Sequence, residues 1–141
     1  MYKYTLIMLG MLLSHAIYAQ QSDSWAVYLE NDQVKISTRV SDCHYPEKGV
    51  HNRYVLLKFE NLTSNPMTVN YQLDKWYNGK KINPDVNTFE VALEANGSKE
   101  GSCEDLTKGL HVYAKILELE AKSVLSKFDI VELSINGKKV Q

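Results

Sequence analysis

Apolar and polar residues alternate with a period of two in three separate segments of the chain. Val34, Ile36, Thr38 and Val40 alternate with Lys35, Ser37, Arg39 and Ser41. Met67, Val69, Tyr71 and Leu73 alternate with Thr68, Asn70, Gln72 and Asp74. Phe89, Val91, Leu93 and Ala95 alternate with Thr88, Glu90, Ala92 and Glu94. Successive side chains of a strand point to opposite faces, so this pattern buries one face and wets the other. A helix would scatter the same residues around its axis. The aromatic content points the same way, with nine tyrosines and two tryptophans.

Turn signals separate these segments. Asn31-Asp32, Asn83-Pro84-Asp85 and Asn136-Gly137 are turn candidates, and residues 61–66 turn the chain before Met67. Residues 25–29 open the series. Residues 41–52 read as a loop, broken by Pro46 and Gly49. Residues 54–62 are apolar without alternation, with Leu56 and Leu57 adjacent, which predicts a strand covered on both faces. Trp76-Tyr77 breaks phase, as at a bulge or a strand end, and Asn78-Gly79 is a hairpin signal.

The ambiguous region is 106–128. Leu106, Leu110, Tyr113, Leu117, Ala121, Val124 and Phe128 recur at helical spacing. Val112, Ala114, Ile116 and Leu119 would make such a helix apolar nearly all round, and Gly109 would weaken its start. The preferred reading is a strand at 110–118, a short helical turn near 119–125 and a last strand at 127–135; a helix is the alternative. The sum is an all-β chain, an immunoglobulin-like antiparallel β-sandwich of seven to eight strands, with a closed barrel as second choice.

The domain occupies residues 20–141. Residues 1–19 read as a signal peptide: Lys3, then a compact apolar run from Thr5 to Leu13, then Ala16-Ile17-Tyr18-Ala19 before Gln20. The run is about half the length needed to span a bilayer, so stable membrane insertion is not expected. The expected location is the periplasm or the extracellular medium. Net charge is −1, too balanced for a nucleic-acid surface, which needs a basic excess.

Cys43 and Cys103 are the two cysteines of the chain. An even count in an exported domain reads as a disulfide, closing a loop of 60 residues and contributing at most about 4 kcal/mol on chain-entropy grounds. If each strand simply reverses the last, these residues fall at opposite ends of the sandwich. A short extra strand at 80–83 adds one reversal and brings them together, so the bridge and the extra strand are linked expectations.

Other chemistry is sparse. Cys43, His44, His51, Cys103 and His111 form an alternative metal-binding set, without the spacing of any zinc module. A hydrolase would lack the Gly-x-Ser-x-Gly turn, and Cys43-His44 are neighbours in sequence only. The loop around Gly97 and Gly101 lacks phosphate-loop spacing. Glu104-Asp105 reads as a solvated pair of acids rather than a calcium site. Asn61-Leu62-Thr63 and Asn96-Gly97-Ser98 fit the glycosylation triplet but lie in turns, where Asn serves the backbone. Trp76 is either a ligand platform or a core-edge side chain beside a turn. No enzyme activity and no cofactor are expected.

Ser41-Asp42-Cys43-His44, residues 54–59, Trp76-Tyr77-Asn78-Gly79-Lys80, Gly101-Ser102-Cys103 and Leu125-Ser126-Lys127-Phe128 together resemble a group of small secreted β-sandwich proteins of flavobacterial type with no established activity. Relatives in that group often place a Cys-x-x-Cys after the Trp-Tyr-Asn-Gly-Lys string, where this chain has Lys81-Ile82-Asn83. The resemblance implies the fold and export, and implies no catalytic residue. The functional expectation is a binding or accessory module for a protein or glycan partner.

Overall fold

The computed structural model describes residues 24–141, so the expected signal segment 1–19 lies outside the described residues. The chain is an all-β sandwich of two antiparallel sheets, immunoglobulin-like in that broad sense and with a strand order of its own. Among the described residues ten strands build it: β1 (Ala26–Glu30), β2 (Val34–Tyr45), β3 (Val50–Asn61), β4 (Met67–Tyr77), β5 (Lys80–Ile82), β6 (Thr88–Leu93), β7 (Ser98–Glu100), β8 (His111–Ile116), β9 (Leu125–Ile135) and β10 (Lys138–Lys139). One sheet runs β1-β2-β3, with β7 and β8 both on the far edge of β3. The other runs β10-β9-β4, with β5 and β6 both on the far edge of β4. The strand count exceeds seven to eight because each sheet has one edge strand broken in two.

The alternating segments behave as their periodicity predicts. Val34 and Ile36 of β2, Val69, Tyr71 and Leu73 of β4, and Val91 and Leu93 of β6 point between the sheets. They meet Leu57 and Phe59 of β3, Val112 of β8, and Leu133 and Ile135 of β9. Tyr54, Val55, Leu56 and Leu57 are buried in unbroken succession, so β3 is covered on both faces, as its composition required.

Three local expectations need correction. Residues 41–52 are not a loop: β2 and β3 continue as a paired arm to Tyr45↔Val50, closed by a 3₁₀ turn at Pro46–Lys48. Pro46 starts that turn and Gly49 ends it at φ 60°, so the two breakers occupy only the tip. The turn near 119–125 is not helical, and β9 already begins at Leu125. Its backbone is taken by the Asn78-Gly79 turn instead. Asn78 donates to the Lys122 carbonyl through Nδ2, and Asn78 Oδ1 accepts from Val124 N–H. The Asn78 N–H donates to the Val124 carbonyl and the Gly79 N–H to Ser126 Oγ. Those groups are no longer open to i→i+4 bonding.

The third correction concerns the link between the extra strand and the disulfide. β5 is present, but β5 and β6 both run antiparallel to β4 and add no reversal between them. The chain returns instead through β7, which runs antiparallel to β3. The phase break at Trp76-Tyr77 is a register shift of β4 against β9 at the strand end.

Asn61 of the first glycosylation triplet is 3% exposed, and its Nδ2 donates to the carbonyls of Asn65 and Glu94. It organises the turn into β4. Tyr71 is the largest fully buried side chain; its ring stacks on Phe59 at 4.7 Å, and its hydroxyl donates to the Gly109 carbonyl at 2.6 Å. Burial pushes this phenol well above its ordinary pKa, so it stays a donor. Tyr71→Phe leaves the Gly109 carbonyl without that donor and is expected to lower stability by about 1–3 kcal/mol in urea unfolding. A change below about 0.5 kcal/mol would show that water replaces the hydroxyl.

Candidate functional site

The broken edge of the first sheet builds the site. The chain leaves the edge of β3 at Gly101 and rejoins it at Leu110. Both ends bond to one residue: Gly101 N–H donates to the Leu57 carbonyl at 3.0 Å, and Leu57 N–H donates to the Leu110 carbonyl at 2.9 Å. Residues 101–110 are therefore a pinched Ω-loop, a surface excursion whose ends meet. Within it, Ser102 N–H donates to the Asp105 carbonyl, Asp105 N–H to Ser102 Oγ, and Thr107 Oγ1 to Asp105 Oδ1. Asp105 thus serves a loop whose polar groups are largely turned on themselves, while Glu104 faces the cleft beside it.

The loop folds over the outer face of the sheet, not between the sheets. Strand alternation puts Asp42 and His44 on one face of β2 and Cys43 and Tyr45 on the other. Cys43 bonds to Cys103 with Cα atoms 5.3 Å apart, which staples the loop to that outer face. Beneath it Cys43, Tyr54 and Leu56 form a second small core, with Trp25, Tyr45, Cys103, Leu106 and Tyr113 packed around it. Trp25 is also approached by the Arg39 guanidinium at 4.7 Å and the Lys58 ammonium at 5.9 Å.

Between the stapled loop and the arm tip lies a cleft of about 370 Å³ lined by Tyr45, Lys48, Val50, Asn52, Tyr54, Cys103, Glu104 and Leu106. Two hydrogen bonds hold its walls. Tyr45 donates its hydroxyl to the Cys103 carbonyl at 2.7 Å, and Asn52 Nδ2 donates to the Tyr54 hydroxyl at 3.2 Å. Desolvation by burial raises the Tyr45 pKa, with the neighbouring Tyr54 phenol and the Glu104 and Glu47 carboxylates adding to it, so the hydroxyl keeps its proton for that bond. Lys48 stands 5.8 Å from the Tyr45 ring. The cleft therefore offers the half-buried Tyr45 ring, an amide, a carboxylate and an ammonium, with the buried Tyr54 at its floor.

The metal set read from the sequence does not assemble. Cys43 and Cys103 are consumed in the disulfide, and no described cysteine is a free thiol. His111 packs edge-on against Tyr54 at 5.6 Å, with Nδ1 against the Thr107 carbonyl at 2.9 Å. His44 and His51 do come together, as a directly opposed pair on the arm with rings 4.9 Å apart. Trp76 is not a bare platform. It lies between two cations, Lys127 at 4.7 Å and Lys81 at 5.4 Å, and Lys81 is itself paired with Asp74 at 3.0 Å.

Tyr45, Asn52 and Tyr54 were not singled out by the sequence reading. The available signal is the alternation of Asp42 and His44 with Cys43 and Tyr45, hidden by the breakers Pro46 and Gly49. Comparison with protein-family models, with curated proteins and with solved structures returned no match.

Proposed function

We propose that the protein is an exported binding module and that the cleft under the stapled loop takes a sugar unit of a glycan. The observation that carries this is the joining of the half-buried Tyr45 ring to Asn52, Glu104 and Lys48 in a concavity held by a disulfide and the Tyr45–Cys103 hydrogen bond. Aromatic faces suit the C–H face of a pyranose, and the polar groups suit its hydroxyls. A protein partner would need about 800 Å² of surface on this side, more than so small a concave cleft provides. Glu104 is the one acid lining the cleft among the described residues, whereas glycoside hydrolysis ordinarily uses two carboxyl groups. Binding without turnover is the consistent reading. Export is supported by the signal-like leader, the resemblance to secreted proteins and the disulfide, which suits an oxidising compartment.

The test is a glycan array followed by calorimetry with the best soluble oligosaccharide. Tyr45→Ala and Asn52→Ala are each expected to weaken binding tenfold or more while the far-ultraviolet spectrum stays unchanged. Failure to bind any glycan, together with capture of a protein through this face, would replace the glycan reading with a protein-partner one.

A further inference from the structure

The same arm carries a second site on its other face. We propose that His44, His51 and Glu118 bind a divalent transition ion of the zinc class, using two imidazoles and one carboxylate. Their candidate ligand atoms all lie within 4.8 Å of one another, and His51 Nδ1 is 3.3 Å from Glu118 Oε1. In a tetrahedral zinc site with bonds of about 2.0–2.1 Å, neighbouring ligand atoms stand about 3.3 Å apart. The His51–Glu118 pair already has that spacing, and rotation of the exposed His44 side chain closes the rest.

The backbone holds these three residues in place. His44 and His51 are directly paired in the β2–β3 ladder. Leu117 N–H donates to the His51 carbonyl at 2.9 Å, which fixes Glu118 two residues past the end of β8. A solvent-exposed His–Glu pair contributes little to stability, and Glu118 is 64% exposed. A divalent metal binds neutral imidazole, and the directly opposed pair supplies two such ligands side by side. Three protein ligands leave the fourth position open toward solvent.

This site is distinct from the glycan cleft, since alternation puts His44 and His51 on the face opposite Tyr45 and Asn52. The test is calorimetric titration of the chelator-stripped protein with zinc chloride alone, read beside the histidine ring signals by nuclear magnetic resonance. Saturable one-to-one binding is expected, with the His44 and His51 signals shifting and those of His111 still. His44→Ala and His51→Ala are each expected to weaken binding about 100-fold or more, and Glu118→Gln at least tenfold, while His111→Ala matches the parent. Unchanged thermal unfolding of the metal-free variants shows that they fold. Absence of saturable binding, or binding that survives both histidine substitutions, overturns the assignment.

Discussion

Replacing both cysteines by serine is expected to lower the stability of the domain by up to about 4 kcal/mol, the loop-closure contribution of a 60-residue bridge, and to lower Tm by roughly 15 °C. The damage should be uneven. Val34, Leu57, Phe59, Tyr71 and Ile135 belong to the core between the sheets, away from the bridge. Cys43 and Cys103 belong to the smaller cluster on the outer face, where Leu106 and Tyr45 depend on the loop staying down. Amide exchange should therefore rise first across 101–110 and only afterwards in β3 and β4. Glycan binding should be lost at temperatures where the sandwich is still folded. The Cys43→Ser/Cys103→Ser variant, measured beside the oxidised parent by calorimetry and hydrogen exchange, checks all three points. A loss below about 1 kcal/mol with full protection of the loop would mean that Leu106 and its neighbours hold it unaided. The staple would then be dispensable to the site.

The sequence announces the strands more clearly than it announces the site. Tyr71 and Leu73 point inward because nothing competes with a period-two pattern once a strand pairs on both edges. Leu56 and Leu57, adjacent and both apolar, signalled that β3 needed cover on its outer face. What would supply the cover was not readable, because it arrives from residues 101–110, far along the chain. The same limit applies to Cys103. Counting reversals treats every strand as running the full length of a sheet, whereas β7 and β8 share one edge and the loop departs between them. The helical turn near 119–125 failed for a tertiary reason, the capture of the 122–124 backbone by Asn78. Glu118 could not be joined to His44 and His51 beforehand, since only the pairing of β8 with β3 brings it there.

Gly101→Ala is expected to cost about 3 kcal/mol or more, more than an alanine at any exposed turn glycine of this chain. A β-carbon at Gly101 would stand 3.0 Å from the Leu110 carbonyl carbon and nearer still to its oxygen, closer than such atoms approach in folded proteins. Neither side can yield easily. The Leu110 carbonyl is bonded to Leu57 N–H, and Gly101 N–H is bonded to the Leu57 carbonyl. Relieving the contact means breaking one of these bonds and opening the neck of the Ω-loop, an overpacking cost at the upper end of the usual scale. Gly79 and Gly137 provide the comparison. Both have φ 80° with nothing near the added carbon, so alanine there meets backbone strain alone, about 1–2 kcal/mol. Gly101 does not have a left-handed φ, so its requirement is for space and not for conformation. Denaturant midpoints of the three variants separate these causes. A Gly101→Ala protein as stable as Gly79→Ala would mean that the neck is wide enough to admit a side chain. In the expected case the variant also loses the cleft, because the strand edge that closes the neck is the edge that aims Cys103 at Cys43.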